Sequence, residues 1–161
     1  TILGGGMSSR LFHEVREKRG LAYYVRTSSE HYDDCGSLVS TAGVDPKRID
    51  EAIKVIIEEY HKLAKGNTDI TPQELTKAKE YMKGHLVLEL EDSRTVAGFY
   101  ASQEILERKI DTPDEVIAKV MAVRVEDIEK VAKTIFTSQM LNLAILGQFE
   151  DGQRFEKLLQ L

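Results

Sequence analysis

The stretch "GGGMSSRLFHEVREKRGLAYYV", residues 4–25, decides how this sequence is interpreted. It joins a glycine triplet to a helix-like segment, which is followed by a second glycine and a pair of tyrosines. The helix-like segment, 8–19, has apolar anchors at helical spacing, which are Leu11, Phe12 and Val15. Gly20 fits the left-handed position after a helix end, and Tyr23 then opens a strand. The stretch therefore predicts a helix, a sharp turn and a strand in close succession.

The glycine triplet does not fit a phosphate-binding loop. The string "GGGMSS" at 4–9 matches neither G-x-G-x-x-G nor G-x-x-x-x-G-K-[ST], and no convincing strand precedes it. Helix N-termini do attract anions, so phosphate binding stays open as the minor alternative. We favour a tight backbone turn, with Ser8 or Ser9 as the cap of the helix that follows.

The overall composition is that of an ordinary soluble globular protein. The sequence has 161 residues, 42% of them apolar and 30% charged, a size that suits the single domain we predict for 1–161. The net charge of −5 argues against a nucleic-acid partner. No apolar run approaches the roughly 20 residues of a membrane span, so we expect no membrane partner. A lone cysteine, Cys35, excludes an internal disulfide and is typical of a reducing compartment.

The prolines mark three helix starts. They lie in "DPKRID" at 45–50, "TPQEL" at 71–75 and "TPDEV" at 112–116. Proline is favoured at the first helical position, because its missing N–H would have had no partner there. The predicted caps are the residues before the prolines, Asp45, Thr71 and Thr112. Glu74 and Glu115 are placed to complete capping boxes.

The extents of the helices follow from apolar periodicity. The first has a stripe consisting of Ile49, Ala52, Ile53, Ile56, Ile57, Tyr60 and Leu63. It should end near Gly66-Asn67, and the second should run from Pro72, with a kink, towards Leu106. A further helix is predicted at 124–136, and the tail, 150–161, should be a last one.

Three strands are predicted. "AYYVRTSSEHY" at 22–32 and "GSLVSTAGV" at 36–44 are rich in β-branched and aromatic residues, and "DDCG" at 33–36 supplies a turn between them. The apolar run "MLNLAILG" at 140–147 is the third. The sequence therefore predicts an α+β fold with a mostly antiparallel sheet covered by several helices.

A metal site has little support in the sequence. The histidines are His13, His31, His61 and His85, and none forms H-E-x-x-H or H-x-x-E-H. A helix would place His13 and Glu17 on one face, but no third ligand is near, so an exposed polar face is the better interpretation. Cys35 has no histidine at a spacing that indicates nucleophilic catalysis.

Arg16 and Tyr23 lie on either side of the predicted turn. A guanidinium and a phenol in these places could converge on a peptide carbonyl. The residues alone favour a plainer interpretation, in which Arg16 is a surface arginine near a helix C-terminus and Tyr23 covers the core.

The string "LGGGMSSRLFHEVREKRGLAYYV" closely resembles the second half of the small bacterial pitrilysin-like zinc peptidases. That superfamily also includes insulinase and the mitochondrial processing peptidases. The resemblance extends over nearly the whole chain, through "DPKRIDEAIKVIIEEYHKL", "TPQELTKAKEYMKGHLVLELEDS", "VRVEDIEKVAKTIF" and "LNLAILG". The opening motif is highly specific, and the later segments support it by their order and spacing.

The resemblance implies a clamshell built from two related α+β halves. In this family the first half carries the zinc motif H-x-x-E-H and a downstream glutamate. The second half binds no zinc and contributes an arginine and a tyrosine, spaced R-x-x-x-x-x-x-Y, that hold the substrate against the metal. Arg16 and Tyr23 fit that spacing. They are thereby identified as substrate-binding and transition-state residues, in a segment with no catalytic residue and no metal ligand of its own.

The function implied is that of the C-terminal half of a zinc-dependent metalloendopeptidase, inactive alone. Zinc would be bound by the other half, on the same chain or on a separate subunit, and the partners would be that half and a peptide substrate. One alternative is a non-catalytic partner or structural subunit of the same family, and another is a peptide-binding domain that acts alone. We expect a bacterial cytoplasmic location.

The chain departs from the family's pattern at its start. The second half of these enzymes normally begins with a strand and a long helix before the glycines, whereas only three residues precede Gly4 here. We therefore expect a fragment that is truncated at its N-terminus. Its sheet would have an unpaired edge, which favours pairing between copies, so we expect the fragment to form a homo-oligomer.

Overall fold

The structure is a computed structural model and describes residues 1–65 and 70–159. Its strands and α-helices are β1 (Ala22–His31), β2 (Gly36–Val44), α1 (Ile49–Ala64), α2 (Pro72–Glu89), α3 (Ser93–Ser102), α4 (Pro113–Ala122), α5 (Val125–Ile135) and α6 (Gln153–Glu156). Further helical turns are the π-helical Phe12–Glu17 and Gln103–Glu107 and the 3₁₀ turn Pro46–Arg48. The predicted α+β class is confirmed.

The proline-marked helix starts are confirmed. Thr71 Oγ1 accepts a hydrogen bond from the Glu74 N–H at 3.1 Å. At Thr112 the capping box is complete, because Thr112 Oγ1 accepts from the Glu115 N–H at 3.3 Å while Glu115 Oε2 accepts from the Thr112 N–H at 2.7 Å. Asp45 caps a 3₁₀ turn that leads into α1. The three caps are local in sequence, which is why they could be predicted.

The predicted second helix is two helices. α2 ends at Glu89 and does not continue towards Leu106. The break lies at Asp92, whose Oδ2 accepts hydrogen bonds from the Thr95 N–H and from Thr95 Oγ1, both at 3.0 Å. This side chain satisfies a backbone donor that a continuous helix would have paired with a carbonyl, so α3 starts anew.

The other predicted helices agree with the structure to different extents. α1 ends at Ala64, and Gly66-Asn67, where we expected its end, lies outside the described residues. The stripe predicted for α1 is buried apart from Ile56, which is partly exposed. The helix predicted at 124–136 is α5. The predicted tail helix is a single turn, Gln153–Glu156, within the described part of the tail.

The strands β1 and β2 form a two-stranded antiparallel sheet. Both lie where the sequence predicted them. Thr27 Oγ1 and Ser40 Oγ are 2.7 Å apart across the two strands. Ser40 also hydrogen-bonds the phenol of Tyr60 on α1, and burial of that phenol raises its pKa. Hence α1 contacts β2 through Tyr60 and Ser40.

The prediction of a third strand at 140–147 is wrong. Residues 141–146 are in no sheet, and no backbone–backbone hydrogen bond involves them in the described part of the chain. Two of their apolar side chains are nevertheless partly buried, since Leu141 and Ile145 pack against the buried cluster that contains Ile53. A short apolar run shows which side chains can be buried, but it does not supply the neighbouring strand that pairing requires.

The chain divides into two compact units, and the single domain over 1–161 stays a prediction. Unit 1 consists of Thr1–Ser28, Leu38–Ile70 and Val125–Leu161, and unit 2 of Ser29–Ser37 and Thr71–Arg124. Every buried apolar side chain among the described residues belongs to unit 1; the set is Leu3, Leu11, Val15, Leu21, Ala22, Val25, Ile49, Ala52, Ile53, Val55, Ile57, Tyr60, Leu63, Ile70, Ala132 and Phe155.

Unit 2 buries polar side chains among its described residues. Its buried side chains, among those described, are Gln103 and Asp111. Gln103 Oε1 accepts from the Asp111 N–H at 2.8 Å, and Gln103 Nε2 donates to the Asp111 carbonyl at 3.3 Å. The Asp111 carboxylate pairs with Lys109 at 2.8 Å and with Lys119. Among all residues that the structure describes, no helix is both long and apolar enough to cross a membrane.

Candidate functional site

The site begins with a sharp turn in unit 1. Gly20 has a φ of +57°, the left-handed conformation predicted for it. The Gly20 N–H donates to the Arg16 carbonyl at 3.0 Å, and the Leu21 N–H donates to the Val15 carbonyl at 2.8 Å. These two bonds close the helix end and direct the chain into β1.

The helix before this turn is wound as a π-helix over Phe12–Glu17. The Lys18 N–H donates to the His13 carbonyl at 2.9 Å, five residues earlier. The segment is fixed from below, because Leu11 and Val15 are both 0% exposed. Single π-helical turns occur often at functional sites, where they aim particular side chains.

The glycine triplet supports the turn through close backbone packing. The Thr27 N–H donates to the Gly4 carbonyl at 2.8 Å, and a Cβ on Gly4 would lie 2.6 Å from the Thr27 nitrogen. The predicted tight backbone is therefore required by the approach of this loop to β1. Of the two caps predicted as alternatives, Ser8 or Ser9, the second is wrong, because the Ser9 hydroxyl is buried without a partner among the described residues.

The structure brings Arg16 and Tyr23 together. Arg16 Cζ lies 5.7 Å from the centre of the Tyr23 ring and 5.0 Å from that of the Phe12 ring. Tyr23 is 84% exposed, so its hydroxyl is available to a ligand. Phe12 was predicted only as a core anchor, although its i,i+4 spacing to Arg16 could have indicated this contact.

Both carboxylate oxygens of Glu14 are paired with cations other than Arg16. Its Oε1 accepts a hydrogen bond from Lys18 at 2.6 Å, and its Oε2 accepts one from Arg19 at 2.6 Å. These two bonds, with Lys18 the larger influence, lower the pKa of Glu14 to about 2. The carboxylate is therefore ionised at neutral pH and already neutralised by its own partners.

Glu17 is paired with His13, whose Nδ1 lies 2.8 Å from Glu17 Oε2. The prediction that these side chains share one helix face is confirmed. Among the described residues, no group of three or more His, Cys, Asp or Glu side chains is placed to hold a metal ion. His13 and Glu17, which bind each other on an exposed surface, do not supply the ligand set of a zinc site.

Arg16 is left with aromatic neighbours. Within the described residues it has no carboxylate partner. A guanidinium offers five N–H donors in a fixed plane, and a phenol offers one O–H. Arg16 and Tyr23 together can donate hydrogen bonds to a carbonyl or to an oxyanion, but they supply neither a nucleophile nor a general base for hydrolysis.

Solved structures share this fold. A conserved protein from Enterococcus faecalis V583 is 30% identical, with a TM-score of 0.71, over 82% of this chain and 30% of that one. A peptidase M16 inactive domain from Pseudomonas fluorescens has a TM-score of 0.72 at 22% identity, over 83% of this chain and 31% of that one. A chain of complex III2 from Candida albicans also has 0.72, at 19% identity, over 99% of this chain and 39% of that one. The last two likenesses show the fold alone.

Curated relatives are longer proteins. An uncharacterized zinc protease of Streptomyces coelicolor is 33% identical over 153 residues, which are 95% of this chain and 33% of that protein. The uncharacterized zinc protease YmxG of Bacillus subtilis is 38% identical over 136 residues, with shares of 84% and 33%. The chain thus spans about a third of the length of the curated relatives it matches. Residues 1–82, which contain the site, match the family described as the peptidase M16 inactive domain. The chain therefore belongs to the peptidase M16 family, as a domain of its inactive, C-terminal type.

Proposed function

We propose that this chain is the non-zinc half of a zinc metalloendopeptidase, in which it binds the peptide substrate and stabilises the transition state. The observation that carries the proposal is the pair at the turn. Arg16 has no carboxylate partner among the described residues and lies beside the exposed Tyr23. Such donors, held in place before the substrate arrives, are what stabilisation of a developing negative charge requires.

In this function Arg16 and Tyr23 donate hydrogen bonds to the substrate backbone or to the developing oxyanion. Each donor of this kind is typically worth about 2.7–4 kcal/mol in the barrier. The other half would hold the zinc, which would supply polarisation of the scissile carbonyl and activation of water. The part of this chain that the structure describes has no fitting zinc site. The metal and the general base therefore belong to a partner half, on the same chain or on a separate subunit.

The relatives support this division. Those of Streptomyces coelicolor and Bacillus subtilis are named zinc proteases, and this chain corresponds to only a third of each. The matched family is described as an inactive domain. A chain that spans a third of such proteins and has no metal cluster among its described residues fits the role of the substrate-holding half.

A structural or non-catalytic subunit is the second candidate. The fold likeness to a chain of complex III2 covers 99% of this chain, so the fold also serves outside proteases. A structural role gives no reason for an arginine without a carboxylate partner beside an exposed tyrosine, and the first candidate does. The two candidate functions predict different effects of replacing Arg16 on turnover.

The test is Arg16→Ala in the zinc-bearing holoenzyme, with Arg94→Ala as the matched control. Arg94 is an exposed arginine in the first turn of α3. The proposal expects Arg16→Ala to lower kcat/KM by roughly 10²–10³ at unchanged zinc content, and Arg94→Ala to leave it unchanged. Equal turnover in the two variants would overturn the proposal and favour the structural subunit.

A further inference from the structure

We propose that Phe12 is a positioning residue, which holds the Arg16 guanidinium ready for the substrate. The inference rests on the function proposed above, because it assigns how one of the two donors is kept in place. Phe12 itself has no group that could donate or accept a proton, so its effect on a peptide must pass through Arg16.

The Arg16 guanidinium lies over two aromatic rings. Arg16 Cζ lies 5.0 Å from the Phe12 ring centre and 5.7 Å from the Tyr23 ring centre. Both distances are within the roughly 6 Å at which a cation is attracted by the negative face of an aromatic ring. Phe12 is the nearer ring and is partly buried, whereas Tyr23 is 84% exposed. Phe12 is therefore the more firmly held of the two.

An aromatic ring can hold an arginine without using its hydrogen bonds. A carboxylate partner would take N–H donors of the guanidinium in its own plane. A ring instead attracts the flat face of the cation and leaves the N–H groups at its edge available. This arrangement combines an ordered side chain with donors that are still available for a substrate carbonyl.

The neighbouring carboxylates do not compete with a substrate for the Arg16 guanidinium. Glu14 accepts hydrogen bonds from Lys18 and Arg19, and Glu17 lies against His13. Both carboxylates near Arg16 in sequence are thus paired with other side chains. If either were open, it would attract the guanidinium off the Phe12 ring and occupy its donors.

The contact itself can be tested in this chain, apart from any activity. Phe12→Leu keeps an apolar side chain and removes the ring, and Phe12→Tyr keeps the ring. The ring current of Phe12 should shift the Arg16 side-chain proton resonances, and Phe12→Leu should reduce that shift while Phe12→Tyr preserves it. Tyr32→Leu is the matched control, because Tyr32 is an exposed ring whose hydroxyl bonds Glu30. An unchanged Arg16 spectrum in Phe12→Leu would overturn the inference.

The consequence is tested in the zinc-bearing holoenzyme. Losing one cation–π contact should lower kcat/KM by roughly two- to thirty-fold, mostly in kcat, with Phe12→Tyr close to the parent protein. The melting temperature should change little, since leucine fills most of the same space. If Arg16→Ala is severe while Phe12→Leu is silent, the positioning role is wrong and the proposed function stands. If Arg16→Ala is silent, the proposed function fails, and the spectra alone decide whether Phe12 holds Arg16.

Discussion

Unit 1 and unit 2 differ in which side chains they bury. All the buried apolar side chains that the structure describes lie in unit 1. In unit 2 the described buried side chains are polar, Gln103 and Asp111, and large apolar side chains such as Leu88 and Ile105 are 65% and 73% exposed. Burial of apolar area is the main favourable term in folding, so unit 1 should be the more stable part.

The candidate site lies in unit 1, the part expected to be more stable. The turn that presents Arg16 and Tyr23 is anchored by Leu11 and Val15, which have no solvent exposure. Stabilising a transition state depends on donors that do not have to reorganise during the reaction. The described buried apolar side chains therefore lie in the same unit as Arg16 and Tyr23, which the proposed function requires to be rigid.

The largest expected effect is on the anchor below the site. Leu11→Ala should lower the free energy of unfolding by about 2–5 kcal/mol, because it leaves a cavity in a fully buried position. Leu88→Ala, at a position 65% exposed in unit 2, should change it by less than about 0.5 kcal/mol. Urea unfolding of both variants measures the difference. Equal losses would contradict the contrast between the units.

A pair of glycines gives the next effect, with opposite signs. Gly4→Ala should cost about 1–3 kcal/mol, because its Cβ would lie 2.6 Å from the Thr27 backbone nitrogen. Gly84→Ala in α2 should add about 0.5–1 kcal/mol, because its Cβ meets nothing within 4 Å and alanine is the better helix former. Thermal unfolding shows whether the melting temperature falls in Gly4→Ala and rises in Gly84→Ala. A harmless Gly4→Ala would mean that the loop does not approach β1 as described.

The smallest effect is a dependence on pH. Lys18 and Arg19 lower the pKa of Glu14 from 4.5 to about 2. The stability that the ionised Glu14 carboxylate gives to the folded state is therefore fully present above pH 4.5 and is lost as the pH falls towards 2. Glu14→Gln should cost about 1 kcal/mol at pH 7 and flatten this part of the stability curve. In unit 2, Lys109 and then Lys119 also lower the pKa of Asp111, so that unit loses stability in acid too. A Glu14→Gln curve that keeps the parent's slope between pH 4.5 and 2 would contradict the assignment.

The features that could be predicted from sequence are local ones. The caps at Thr71 and Thr112 involve residues three positions apart, so their patterns are visible in a single string. The meeting of Arg16 with Tyr23 was also foreseeable, because Gly20 forces a turn between them. Their role in binding a peptide came only from the family resemblance and stays a prediction.

The features that were missed depend on distant partners. The run at 141–146 is apolar enough for a buried strand, but pairing needs a neighbour that its own residues do not specify. The approach of Gly4 to Thr27 joins positions that no short pattern relates. Asp92 is the exception, since an aspartate three residues before Thr95 is a cap signal that the long apolar pattern of the second helix obscured.

The most direct test of the central claim is kcat/KM of Tyr23→Phe in the zinc-bearing holoenzyme, measured beside Tyr24→Phe. Both changes remove one hydroxyl and keep the ring, and Tyr24 is the adjacent residue, whose ring packs against Gly43. If the Tyr23 hydroxyl stabilises the transition state, Tyr23→Phe should lower kcat/KM by roughly 10²–10³ while Tyr24→Phe keeps the parent value. Zinc content and melting temperature should be the same in both variants. Normal turnover in Tyr23→Phe at full zinc loading would contradict the claim.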